Sequence, residues 1–323
     1  MEQKEIIPGM TTEEIKAVFF NADALREPNY KLFQLNESGH RYYYRFNEQG
    51  EPMFYPSVTT LLSQTMPTSP WLIDWIAENG REQANEKRDT AAAYGTLMHA
   101  QFERVVVSRS YNFDLVPSIV AQYLEENNLP EKYQSEWVTK LKKDVLSFIQ
   151  FVRDYKVRPL AIEIGLYSEK GYAGCVDMPC VMTDKKGEFA AIVDFKSGRK
   201  GFYESCELQL GLYREMWNEN FPDFPITRIF NFAPKDWRKS PTYTLKEQTE
   251  ASSLAKIPHL LAIAAIEDEE RDNNVTLIQG SIQLDGEGFD ENLKILSLSE
   301  VIKERHTEAE PSNLLSNESL FEE

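Results

Sequence analysis

Cysteine is scarce: Cys175, Cys180 and Cys206 are the only three in 323 residues. Three thiols make neither a paired disulfide framework nor a four-thiolate cluster, and they suit a reducing, cytoplasmic setting. Long apolar runs are missing as well. No stretch reaches about 18 apolar residues, so no membrane span is expected. The opening MEQKEIIPGMTTEEIK places acids where a secretory leader has its apolar core, which argues against a leader. Basic charge is in deficit, with 35 Lys and Arg against 52 Asp and Glu and a net charge of −17. That balance speaks against an anionic partner until it is located. Residues 246–323 carry 18 acids against 6 bases, or −12, which leaves −5 for the first 245. The acidity belongs mainly to the C-terminal region and says little about the rest. Internal repeats are also lacking.

What is present is a globular composition, 41% hydrophobic and 12% aromatic, long enough for one large or two small domains. The most informative stretch is residues 163–213. Three apolar runs there carry Glu163, Asp177 and Asp194, and the third closes with Lys196. Their Val, Ile and aromatic content, bounded by glycine and Lys-Lys-Gly turns, predicts three strands side by side. Period-two alternation puts Asp194 and Lys196 on one face and Phe195 on the other. An acid in an apolar strand is costly unless neutralised, and a shared metal ion neutralises several at once. Asp177 and Asp194 supply carboxylates for a hard divalent cation. Lys196 can orient or deprotonate an attacking water, or offset charge on a phosphate. Upstream, Gly95, His99 and Glu103 share one face of a helix expected to start at Asp89 or Thr90. The mid-helix glycine hints at close backbone approach. The His99 imidazole suits transition metals better than Mg²⁺, which points to Mn²⁺ tolerance. The chemistry supported is in-line attack by water on a phosphodiester.

Other segments read as scaffold. Residues 116–157 give two amphipathic helices, and ITRIFNFAP and TYTL give further strands, so the core is α/β with a mixed sheet. HRYYYRF and MFYPSVTTLL, around a glycine-containing turn, predict a hairpin. Its Arg41, Tyr42, Tyr44 and Arg45 either stack on bases and grip phosphates or simply pack on the domain. Near the N-terminus, Thr12 is a candidate helix cap. In the C-terminal region, KIPHLLAIAAI reads as a helix interrupted near its start by Pro258. A weak strand, VTLIQGSIQL, and a short helix capped by Ser299 follow.

Taken in order, Gly95-x-x-x-His99, Glu163, Gly174-Cys-Val-Asp177, Asp194-Phe-Lys196 and Gln209-x-x-x-Tyr213 resemble the RecB-like branch of the PD-(D/E)XK nuclease superfamily. The run Pro56 to Leu62, PSVTTLL, is similar to a segment before the core of some phage and mitochondrial exonucleases of that branch. The resemblance covers roughly residues 40–235. It implies a restriction-endonuclease-like core, a central mixed β-sheet flanked by helices with a helical insertion before it. It implies metal ligation by His99, Asp177, Asp194 and the Phe195 carbonyl, with Mg²⁺ or Mn²⁺ as cofactor. Lys196 becomes the catalytic lysine, Gln209 and Tyr213 position phosphate or the lysine, and Glu163 supports the metal or its water. Arg41, Tyr44, Arg45, Ser57 and Thr59 become DNA-binding candidates. Two features depart from the family. The iron–sulfur members need four cysteines flanking the core, so no cluster is expected here, and Val176 stands where the superfamily name has proline.

The resulting expectation is a metal-dependent DNA exonuclease acting on single strands or ends, in recombination, repair or phage DNA processing. It would work in the cytoplasm of a bacterial or phage-infected cell. Alternatives are a structure-specific flap endonuclease on the same core and a non-catalytic DNA-binding subunit with a nuclease fold. The expected divisions are an N-terminal helical segment (1–39), the nuclease domain (40–245), an accessory segment (246–306) and an acidic, disordered tail (307–323). That tail reads as solvating, as a docking peptide for a partner protein, or as a competitor for the DNA channel.

Overall fold

The computed structural model describes residues 25–37, 40–198, 202–249, 251–270, 276–279, 294–297 and 299–303. The helix expected from Thr12, most of VTLIQGSIQL and the tail 307–323 lie outside the described residues. The chain divides into two units, one built chiefly on Pro67–Leu166 and Cys175–Ile257, the other on Asn29–Met66, Tyr167–Gly174 and the described residues from Pro258 on. Among the described residues no helix is long and apolar enough to cross a membrane.

The first unit holds a five-stranded mixed sheet. Its strands are β4 (Arg158–Pro159), β7 (Met178–Asp184), β8 (Gly187–Phe195), β9 (Arg228–Pro234) and β10 (Tyr243–Glu247), in the order β10-β9-β8-β7-β4. β7 and β8 form an antiparallel hairpin through the Lys-Lys-Gly turn, where Gly187 takes φ +121°. β8 and β9 are parallel, with Asp194 opposite Asn231, so a crossover must join them. That crossover is helix α6 (Glu204–Asn220), which contacts both strands. Ala191 to Phe195 are buried on both faces of β8, the pattern of a strand covered on each side. This is the α/β, restriction-endonuclease-like architecture with its helical insertion ahead of the sheet. The shared-sheet expectation needs one correction. β5 (Ile164–Ser168) and β6 (Tyr172–Val176) pair with each other and, among the described residues, with no strand of the large sheet, so just two of the expected three strands are neighbours there.

The insertion comprises α2 (Pro70–Asn79), α3 (Arg81–Ser108), α4 (Val116–Glu126) and α5 (Gln134–Asp154). α3 does not start at Asp89 or Thr90. It runs unbroken from Arg81 after Gly80, whose φ of +74° ends α2, a backbone state that costs glycine little. On α5, Trp137, Leu141, Val145, Phe148 and Val152 are buried at helical spacing. The Phe102 and Phe148 rings stack at 4.4 Å, and Phe195 meets each edge-on at 5.2 Å and 5.4 Å. Phe195 is thus locked into the core from below, which fixes the backbone on either side of it.

In the second unit, β1 (Phe33–Glu37), β2 (His40–Phe46) and β3 (Pro52–Pro56) form an antiparallel sheet. The expected hairpin is β2–β3, but VTTLL is not strand. It begins helix α1 (Val58–Thr65), capped by Ser57, whose hydroxyl accepts the Thr60 N–H at 3.0 Å. Pro258 opens rather than interrupts the helix α8 (Ile257–Glu270), which follows the short α7 (Ala251–Leu254). The short helix at 299–303 is capped from Ser297, not Ser299. Ser297 Oγ accepts the Glu300 N–H at 3.3 Å, and the Glu300 carboxylate accepts the Ser297 N–H at 2.7 Å.

Candidate active site

The end of β8 sorts the site into two halves. Phe195 points into the aromatic core while Asp194 and Lys196 face the other way, as alternation requires. Lys196 lies just past the strand, yet its N–H donates to the Phe232 carbonyl at 2.8 Å and extends the β8–β9 ladder. Its ammonium donates to Asp194 Oδ1 at 2.9 Å, lies 2.8 Å from Oδ2, and donates to Gln209 Oε1 at 3.0 Å. Gln209 Nε2 in turn donates to the Tyr213 hydroxyl at 2.9 Å, one turn along α6. Asp194 is 1% exposed and also accepts from Asn231 Nδ2 at 2.7 Å.

The other half gathers around the Phe195 backbone. His99, midway along α3, sits 2.9 Å from Glu163 Oε1 through Nδ1 and 3.1 Å from the Phe195 carbonyl through Nε2. Asp177 occupies the bend between β6 and β7; its Oδ2 accepts the Phe195 N–H at 2.6 Å and lies 3.7 Å from His99 Nδ1. Glu163, just before β5, accepts from Cys175 Sγ at 3.2 Å, and its own N–H donates to the Asp177 carbonyl at 2.7 Å. One ligand atom from each of His99, Glu163 and Asp177 falls within 4.8 Å of the others. Of the three acids expected on strands, only Asp194 is in one. The close approach expected at Gly95 is present: a Cβ there would lie 3.3 Å from Ser197 Oγ.

Glu163 holds its place with φ +46°, a left-handed backbone that costs a side-chain-bearing residue about 1–2 kcal/mol. Glycine escapes that cost at about 0.5–1 kcal/mol of extra chain entropy. Glu163→Gly is therefore expected to be more stable than Glu163→Ala by about 0.5–1 kcal/mol. Equal stability in urea titrations would show that no strain is stored there.

The electrostatics are those of crowded acids. Both neighbours of the His99 ring are acceptors, so both ring nitrogens must carry protons to bond them. Burial works against that imidazolium, but the Asp177 and Glu163 carboxylates outweigh it and raise His99 to about 9. Burial pushes the Asp177 carboxyl up; His99 opposes this, while Asp194 and Glu163 add like charge. Burial likewise disfavours the Lys196 ammonium, yet Asp194 and then Asp177 hold it well above its ordinary range. Glu103, on the His99 face, is pushed up by burial and by Glu163.

With the imidazole neutral, three carboxylates and one ammonium sum to −2, the charge a divalent cation cancels. The donor set is imidazole, carboxylate oxygen and a peptide carbonyl, ligands of the kind that Mn²⁺ and, less readily at the imidazole, Mg²⁺ accept. The residues present therefore fit such an ion.

The remaining candidates belong to the second unit. Arg41 and Thr59 are exposed. Arg45 donates to the Tyr55 hydroxyl at 3.0 Å and lies 4.3 Å over the Tyr167 ring. Tyr44 is buried among Phe33, Phe46 and Phe54, and Ser57 is buried as the α1 cap. Reading the sequence missed Asn231 and Gln248, although Asn231 is the lone amide in the apolar run RIFNFAP. A buried amide is costly enough without a partner to have been a signal.

The sequence finds no match among curated proteins. A family model described as the PD-(D/E)XK nuclease superfamily matches residues 74–278, which span β7, β8 and β9 together with His99, Glu163, Asp177, Asp194, Lys196, Gln209 and Tyr213. The match covers well over half of the chain, which therefore belongs to the PD-(D/E)XK nuclease superfamily and is a metal-dependent nuclease.

Proposed function

We propose that the protein is a DNA exonuclease hydrolysing phosphodiester bonds on single strands or at DNA ends. The observation that carries this reading is the Asp194–Lys196–Gln209–Tyr213 chain beside the His99–Glu163–Asp177 cluster. His99, Asp177, Asp194 and the Phe195 carbonyl would hold the cation, with Glu163 orienting His99 through Nδ1. When bound, such an ion lowers the pKa of water and stabilises developing oxyanion charge. The imidazole favours Mn²⁺ tolerance alongside Mg²⁺.

In the metal-free protein Asp194 and then Asp177 hold the Lys196 proton, and its ammonium would orient water and offset phosphate charge. Gln209 Oε1 accepts a hydrogen bond from the ammonium and Gln209 is itself anchored on Tyr213, which aims the lysine. The Gln-x-x-x-Tyr spacing supports the exonuclease reading through its resemblance to that branch. Exposed Arg41 and Thr59, with Arg45, would contact DNA in the second unit, and pathway and cell type follow the same resemblance.

End-labelled linear single-stranded DNA should be degraded with Mg²⁺ or Mn²⁺, untouched with EDTA, and a circular single strand should survive. Cleavage of the circle would replace the exonuclease by an endonuclease such as a flap enzyme. No cleavage of any DNA by folded, metal-supplied protein would leave a non-catalytic binding subunit.

A further inference from the structure

Asn231 is wholly buried on β9, and both ends of its amide are engaged. Nδ2 donates to Asp194 Oδ2 at 2.7 Å, while Oδ1 accepts from Gln248 Nε2 at 2.6 Å. Asp194 and Asn231 are register partners, and Gln248 follows β10 directly with its own N–H on the Ile229 carbonyl at 2.9 Å. One line of side-chain donors therefore crosses three neighbouring strands and ends on the Asp194 carboxylate. The direction of that line is fixed. A flipped Asn231 would aim its oxygen at a carboxylate, which has no proton to give.

The two carboxylate oxygens are not equivalent. Lys196 reaches both, at 2.9 Å and 2.8 Å, but Asn231 reaches only Oδ2. Oδ1 accepts the Lys196 ammonium and Oδ2 accepts the Asn231 amide, so one donor on each oxygen fixes the plane of the carboxylate.

We infer that Asn231, itself oriented by Gln248, is a positioning residue that fixes the Asp194 carboxylate in the orientation in which it would meet the cation. This rests on the reading of Asp194 as a ligand. The competing explanation is that the amides merely satisfy a buried polar seam. Such a seam would alter stability without altering the metal affinity of the folded protein.

Mn²⁺ titration calorimetry without DNA, paired with melting curves, separates the two. Asn231→Leu should weaken Mn²⁺ binding by about 10- to 100-fold, the usual effect of losing a partner that orients a ligand. Gln248→Met should weaken it by a smaller factor. Because Gln248 acts through Asn231, the double variant should be no weaker than Asn231→Leu alone. Turnover should fall in parallel while the KM for DNA stays put.

Wild-type Mn²⁺ affinity in folded Asn231→Leu, or fully additive losses in the double variant, overturns the proposal. Should Asn231→Leu fail to fold, Gln248→Met decides by the same measurement. Asp194→Ala tells the two failures apart. If Asp194→Ala keeps its Mn²⁺ affinity, the ligand reading fails and takes this inference with it. If Asp194→Ala loses Mn²⁺ and Asn231→Leu does not, only the positioning role is lost.

Discussion

Lys196→Met should lower phosphodiester hydrolysis by about 10²- to 10⁴-fold, the span ordinarily carried by a positioned proton-transfer or charge-offsetting group. Methionine keeps much of the stem's packing and removes the charge. Binding of Mn²⁺ should survive or tighten, because the ammonium at 2.8–2.9 Å competes for the Asp194 carboxylate. Stability should move in a metal-dependent way. Without metal, Asp194 loses the ammonium and keeps its Asn231 donor, and a buried charge deprived of a partner costs about 1–3 kcal/mol. A bound divalent ion replaces the missing positive charge, so saturating Mn²⁺ should restore much of that loss. Single-turnover cleavage, calorimetry and melting curves with and without Mn²⁺ test all three expectations. A variant with wild-type turnover ends the assignment of Lys196. A variant whose activity loss simply follows loss of Mn²⁺ would make Lys196 a metal-site support.

The structure also shows why parts of the site were legible in the sequence and others not. Alternation alone placed Asp194 and Lys196 opposite Phe195, because period two is set by backbone pleating and survives any tertiary context. The close approach at Gly95 was legible because a glycine inside a helix is otherwise disfavoured. Asp177 and Glu163 were misread as strand residues. Each sits at a break in the backbone, a bend and a left-handed residue, and apolar flanks hide such breaks from a pattern search. The start of α3 was hidden for a different reason. Residues 81–93 are mostly polar and exposed, so no apolar stripe marks that part of the helix. The β-branched Val-Thr-Thr after Ser57 favours strand locally, but the Ser57 cap wins. The Asn231–Gln248 line joins residues 17 apart across two strands, and nothing in the spacing links them until the sheet order is known.

Metal binding should strengthen steeply with pH, because His99 must surrender a proton before it can serve as a ligand. In the metal-free protein its imidazolium, raised to about 9, bonds Glu163 and the Phe195 carbonyl at once. Release of one proton gives up to about tenfold in apparent affinity per pH unit below that value. Between pH 6.5 and 8.5 the Mn²⁺ affinity should therefore rise by up to about 100-fold. Stability without metal should move in the opposite direction. A group whose folded pKa exceeds its unfolded value binds more protons when folded, so its contribution is complete below the unfolded value. For His99 that contribution fades as pH climbs from about 6.5 to about 9, by at most about 3 kcal/mol. The raised Asp177 carboxyl changes stability in the same direction. His99→Gln should flatten the pH dependence of Mn²⁺ binding and weaken binding most at high pH. The measurement is calorimetry across this range in buffers of different ionisation enthalpy, which counts the protons released. Equal Mn²⁺ affinity at pH 6.5 and 8.5, with no proton release, would remove His99 from the ligand set.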